Sequence, residues 1–185
     1  MAMSKTVLVL LILIHSCAQS PKGSDNSENG EATCIALSET ESTNGLTYYH
    51  MVPLSGKICS WYPNGNKHTE TAVIEGKKEG IWTVYFENGQ PEKTGSILNG
   101  EDDGEYKEYY KNGQLKYDYT YKNGSKEGVW KSWYEGGGKY TERNFSENTL
   151  DGKVLVWDEQ GRLAKEYDYV NGTLIKQQMH FKEWE

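Results

Sequence analysis

The chain has 185 residues, a net charge of −7, 14 tyrosines, 6 tryptophans and 20 glycines against 4 prolines. The acidic balance argues against a phosphate-binding surface, which needs clustered Lys and Arg, so nucleic acid is not expected as a partner. Length indicates one domain with a tail, and the glycine and aromatic content indicates a β-rich chain with many turns.

The first element is "MAMSK" followed by the apolar run "TVLVLLILI", Thr6 to Ile14. That run is too short to span a bilayer and has the length of a signal-peptide core. The next residues, "IHSC", resemble a bacterial lipobox, in which a cysteine after a small residue is lipid-modified and becomes the new N-terminus. Ser16 before Cys17 fits that motif, while Ile14 and His15 depart from its usual pattern. An ordinary secretory signal cleaved near "CAQS" is the alternative. With residues 1–16 as signal, only Lys5 is lost and the charge becomes −8. Residues 17–31, "CAQSPKGSDNSENGE", are small and polar, as expected of a flexible tether carrying the lipid on Cys17. This puts the protein in the bacterial cell envelope, attached to a membrane.

Residues 32–55 read as an N-terminal cap, with a short strand at 34–37, "CIAL", and another at 46–52, "LTYYHMV". An exported chain matures where disulfides persist, so Cys34 and Cys59 are expected either to bridge the cap to the first repeat or to remain as buried thiols.

Residues 56–175 form the repeat region. Glycines fall at 56, 80, 104, 128 and 152, and again at 65, 89, 113, 137 and 161, each 24 residues from the last. A third series runs Gly76, Gly100, Gly124, Asn148 and Gly172, its one exception being the residue that next best tolerates a left-handed backbone. Three series in one register predict an all-β chain of five tandem 24-residue hairpins stacked as an elongated antiparallel sheet. Residues 176–185 read as a degenerate sixth unit that caps the C-terminal end.

Within a unit, "GEYKEYY", "KNGQ" and "LKYDYTY" set two tyrosine-rich runs around an Asn-Gly turn. Centring the turn between Asn112 and Gly113 pairs Tyr110 with Leu115, Tyr106 with Tyr119 and Gly104 with Tyr121. One face then collects Ile58, Trp82, Tyr106, Trp130 and Val154, with Val73, Ile97, Tyr121, Phe145 and Tyr169. The opposite face is polar, except that Trp61, Tyr85, Tyr109, Trp133 and Trp157 stand on it as one aromatic per unit. These five form an exposed binding ridge, unless a β-bulge near the turn reverses their direction and makes them a second packing layer.

The unit "G-x-W-x-x-Y-[YF]-x-N-G-Q", at 80–90 and in close form at 104–114 and 128–138, resembles the MORN-repeat variant of bacterial YwqK-like proteins. The resemblance spans about residues 56–175. It implies stacked hairpins and, from the label those proteins often carry, an antitoxin or immunity role. Repeat five departs from the pattern at Asp158, which replaces the second aromatic. Aromatic hairpins of similar length also build choline-binding cell-wall repeats, but the period here is 24 and their aromatic cage segment is not reproduced.

No motif for catalysis, metal or cofactor stands out. The histidines at 15, 50, 68 and 180 are scattered, and neither zinc-ligand spacing nor a nucleophile or phosphate-loop motif is present. Glu79, Asp103, Glu127 and Asp151 recur at 24 residues, a pattern suited to carboxylates that accept hydrogen bonds from turn N–H groups. The expected function is therefore non-catalytic: a protein partner in the envelope bound through the sheet face. A glycan or cell-wall polymer held on the aromatic ridge is the alternative.

Overall fold

The computed structural model of the chain describes residues 33–180. The expected signal (1–16), the lipidated Cys17 with its tether (17–31) and the last five residues of the C-terminal cap lie outside the described residues.

Two sheets are present among the described residues. In chain order the strands are β1 (Cys34–Ala36), β2 (Glu41–Thr43), β3 (Leu46–Tyr49), β4 (Val52–Pro53), β5 (Gly56–Trp61) and β6 (Lys67–Ile74). They continue with β7 (Lys77–Tyr85), β8 (Pro91–Leu98), β9 (Glu101–Asp102), β10 (Gly104–Tyr109) and β11 (Leu115–Lys122). The last are β12 (Ser125–Trp133), β13 (Lys139–Ser146), β14 (Thr149–Trp157), β15 (Leu163–Val170) and β16 (Thr173–Met179). From β5 to β16 each strand pairs antiparallel with its neighbour in sequence, β8 pairing with both β9 and β10. The tandem hairpins thus form one continuous sheet. At its first edge β1 lies parallel to β5, which makes the sheet mixed, and β2, β3 and β4 form a separate three-stranded sheet. The stretch at 46–52 is not one strand: the chain reverses at His50 and Met51, whose φ values of 50° and 64° make a two-residue turn.

The tripeptide Lys-Asn-Gly at 111–113 and again at 122–124 makes two different turns. At the first, only Gly113 has positive φ, 85°. Its N–H donates to the Tyr110 carbonyl at 2.9 Å, and Tyr110 N–H donates to the Gln114 carbonyl at 2.8 Å. This is a type I turn followed by a left-handed glycine, with Asn112 Oδ1 accepting from Gln114 N–H at 2.9 Å. At the second, Asn123 (47°) and Gly124 (71°) are both left-handed, the type I′ geometry that suits a two-residue hairpin loop. Units therefore turn internally by one geometry and pass to the next unit by the other. Asn148, at 67°, takes the glycine slot of the second kind.

The internal turn corrects the expected register close to the loop. Tyr106 faces Tyr119 and Gly104 faces Tyr121 as expected, but Tyr109, not Tyr110, faces Leu115. The three-residue loop shortens the return by one position, and a bulge that leaves Lys116 without an opposite residue restores the pairing. The same irregularity recurs at Trp61, Tyr85, Trp133 and Trp157.

Packing differs between the ends of the sheet. Leu54, Ile58 and Val73 form a small core where Ile35 and Tyr49 pack on the first repeat, and Val73 is 1% exposed. Further along, the apolar face is a ladder of rings that cover one another. Trp82 meets Tyr106 at 6.0 Å, Tyr119 stacks on Trp130 at 4.0 Å, and Phe145 lies 5.1 Å from Trp130. Burial raises the Tyr119 and Tyr106 phenols well above the ordinary tyrosine range; the Glu108 carboxylate, which accepts from Tyr106, adds to the second shift.

Successive units are tied at both rows of turns. Carboxylates of Asp103, Glu127 and Asp151 accept from the N–H groups of Asn123, Glu147 and Asn171, each 20 residues ahead, at 3.0–3.3 Å. In the first unit Ser55 Oγ takes that role for Glu75 N–H. These acids therefore satisfy donors at the left-handed turns, where the ladder supplies no partner. On the other row, the hydroxyls of Tyr62, Tyr110 and Tyr134 donate to the carbonyls of Tyr85, Trp133 and Trp157, each 23 residues on, at 2.8–2.9 Å.

Candidate interaction face

Side chains alternate across a strand, and the rows on each face follow from the pairing. Lys107 sits beside Asp118, and Asp118 beside Lys131, so these belong to the face opposite the ring ladder. On β10 the residue two beyond Lys107 is Tyr109. The bulge at this point lies on the return strand, so β10 keeps its alternation and Tyr109 stays on the charged face. The equivalent argument places Trp61, Tyr85, Trp133 and Trp157 there.

Contacts agree with that placement. Lys67 pairs with Glu70 on the charged face and lies 5.9 Å from the centre of the Tyr85 ring. Lys139 is 2.7 Å from Glu142 and 5.1 Å from the centre of the Trp157 ring. Lysines of one unit thus approach the ridge ring of the next, a cation–π arrangement worth about 0.5–1 kcal/mol at exposed sites. None of the five rings is buried: Trp61 is 45% exposed and the other four are half-buried. Opposite them stand Lys67, Pro91, Leu115, Lys139 and Leu163.

The carboxylates of this face are held by lysines of the same chain. Burial pushes the Glu70 carboxyl upward, but Lys57 at 2.5 Å and Lys67 beside it outweigh that and hold it below the usual range. Lys153 does the same for Glu166. Cys34 and Cys59 are joined as a disulfide with Cα atoms 5.6 Å apart, tying β1 to the first repeat. Their sulfurs and a Glu70 oxygen lie within 4.8 Å of one another. With the sulfurs bonded to each other there is no thiolate to hold a metal.

Two features escape a reading by motif. The tyrosine hydroxyl bonds between units involve the second aromatic of each pair, at 62, 110 and 134; the 24-residue series was visible, but its partner is a backbone carbonyl. The other is Ile81, 66% exposed in the same row as Lys57 and Glu105. Its position is set by pairing across three hairpins.

Compared with known families, residues 78–99 and 102–123 match the MORN repeat variant. The matched stretches cover most of the second repeat and most of the third. No curated protein matches the chain.

Proposed function

We propose that the chain is a non-catalytic, lipid-anchored protein of the bacterial envelope that binds a protein partner through the aromatic ridge. The observation that supports this is the ridge itself: one accessible Trp or Tyr per unit, on one face, at five successive units. Such residues dominate protein contacts because they bury large area at little entropic cost. MORN-type repeats suit this role, since a single sheet offers a long surface and no enclosed cleft. An immunity or antitoxin function is one version of the reading, acting on a partner in the same compartment.

The middle units carry the contact, because end units also serve as caps. Replacing Tyr109 and Trp133 together with Ala should abolish retention of an envelope protein in a pull-down. The stability loss should be only about 1–2 kcal/mol, as expected for half-exposed rings. Retention of protein by the double variant at the wild-type level would reject the ridge as the surface. Binding of the wild type to purified cell wall, with no protein retained, would replace the protein partner with a glycan.

Attachment to the membrane is assigned to a lipid on Cys17. Cys17→Ser should move the protein from the membrane fraction to the soluble envelope fraction. A single acyl chain holds a protein only marginally, so firm attachment requires more than one. A Ser variant that stays with membranes would rule out the lipoprotein reading.

A further inference from the structure

Four of the five turns between units rest on a two-residue segment of the chain 20–22 residues earlier, which presents two acceptors. The Asp102 carbonyl accepts from Gly124 N–H at 2.8 Å, and the Asp103 carboxylate from Asn123 N–H at 3.0 Å. Lys126 and Glu127 do the same for Asn148 and Glu147, and Leu150 and Asp151 for Gly172 and Asn171. In the first unit the Leu54 carbonyl takes Gly76 N–H at 2.7 Å, with Ser55 Oγ in place of the carboxylate. The 24-residue period assigns Lys78 and Glu79 to the remaining turn, at Asn99 and Gly100. There both contacts are missing. Among the described residues nothing accepts from Asn99 N–H or Gly100 N–H, and the Glu79 carboxylate makes no hydrogen bond.

An open cleft of about 670 Å³ lies at this turn, lined by both halves of the missing contact: Lys77, Lys78 and Glu79 with Ile97, Asn99 and Gly100. Its remaining wall is the hairpin of β2 and β3, with the left-handed turn at Asn44 and Gly45 (φ 53° and 77°). Nothing packs on the 99–100 turn as it does on others. A Cβ on Gly76 would meet the Thr47 carbonyl oxygen at 3.0 Å, and one on Gly172 the Thr149 side chain at 3.2 Å. Nothing lies within 4 Å of a Cβ built on Gly100 or on Gly45. Two lysines and one glutamate are the charged residues of the lining, a net positive balance in an acidic chain. Glu101, which follows Gly100, lies instead against Gly124 of the next turn. The cleft is at the start of β7, whereas the ridge ring Tyr85 is at its end, so the two surfaces are separate.

We propose that this cleft takes an extended acidic segment of a partner protein, which supplies to the 99–100 turn the two acceptors that the chain itself supplies to the other turns. A main-chain carbonyl of the segment accepts from Gly100 N–H. The Asp or Glu side chain of its next residue accepts from Asn99 N–H. The chain's own turns are the template: at three of them a carbonyl and the following carboxylate hold the same pair of donors. A carboxylate is favoured over a neutral acceptor because charge-assisted bonds are roughly twice as strong. Lys77 and Lys78 offset both the incoming charge and that of Glu79, which a neutral segment would leave in excess. The proposal does not rest on the ridge as a binding surface; it adds a contact of defined chemistry at the other end of the strands.

The test is backbone amide NMR on the mature chain carrying Cys17→Ser, with the end-blocked peptide GEDDG, a copy of residues 100–104, as the probe. In the free protein the Asn99 and Gly100 amides should exchange with solvent about tenfold faster, or more, than those of Asn123, Gly124, Asn171 and Gly172. The peptide should shift the Asn99 and Gly100 signals and slow their exchange. Replacing its second Asp by Asn should weaken binding roughly tenfold. Lys77→Ala combined with Lys78→Ala should also weaken it, with the amide signals of residues 125–170 unchanged as the check on folding, and added salt should act on the wild type in the same direction. Protection of the two amides in the free chain overturns the proposal. Its loss in Glu79→Gln would give the place to Glu79, and its loss on Asp25→Asn, Glu28→Gln and Glu31→Gln together would give it to the chain's own tether. A peptide that leaves both signals in place, or that binds equally well with Asn, also overturns it. None of those results touches the ridge reading, which is decided separately by protein retention on Tyr109 and Trp133.

Discussion

Trp130→Ala should cost about 3–5 kcal/mol of unfolding free energy, the largest loss expected from a single side chain of this protein. Trp130 is 7% exposed and sits at the centre of the ring ladder. Tyr119 stacks on it at 4.0 Å, while Tyr121 and Phe145 meet it at 5.1 Å. Lys126 lies over its ring at 5.0 Å, and its Nε1–H donates to the Thr120 carbonyl at 3.0 Å. In a sheet one layer thick, no neighbouring layer can move in to fill the space, so the lost contacts are not recovered. Repeats contact mainly their neighbours, so the damage should begin in the third and fourth units and spread from there. Urea unfolding followed by circular dichroism measures it. Trp61→Ala, on the 45% exposed ridge ring, should cost less than half as much. Equal losses for the two variants would show that ladder and ridge are packed alike, against the face assignment.

The second large effect belongs to the disulfide. Cys34 and Cys59 are 25 residues apart, and closing a loop of that length is worth about 3 kcal/mol in the chain-entropy account. Cys59 is also buried, at 1% exposure, beside the edge where the three-residue strand β1 adds to the sheet. So short a strand has few ladder bonds of its own, and without the covalent tie β1 should detach first. Adding a reductant to the wild type should lower the urea midpoint, whereas Cys34→Ser should start low and not respond. A wild-type midpoint unchanged by reductant would show that the bond adds nothing to stability. The stabilisation is available only where disulfides persist.

Ridge and ladder show how far sequence carries. Each of the three glycine series matches a backbone need that the structure displays: a left-handed residue in the internal turn, another in the turn between units, and a positive φ, 69–151°, at positions 56, 80, 104, 128 and 152. Those needs are local, so the 24-residue period was readable. The pairings of Tyr106 with Tyr119 and Gly104 with Tyr121, and with them the ring ladder, followed from the period and the alternation of side chains. The acids at 103, 127 and 151 were also legible as turn acceptors, because their spacing matched that of the turns.

What sequence left open depended on single residues near the loops. "Lys-Asn-Gly" has the same local preferences at 111–113 and at 122–124, yet it forms a type I turn with a left-handed glycine at one and a type I′ turn at the other. The choice is made by what lies around it: Asn112 locks onto its own loop, whereas the Asn123 N–H is taken by Asp103 from the preceding unit. That choice moved the register by one residue, produced the bulge at Lys116 and fixed the side on which Tyr109 stands. Sequence by itself determined the repeat, its hairpins and the ring ladder, because these follow from local turn chemistry repeated at a constant period. Tertiary structure alone decided the parallel placement of β1, the side of the ridge and the exposure of Ile81, because each depends on which strands lie beside one another.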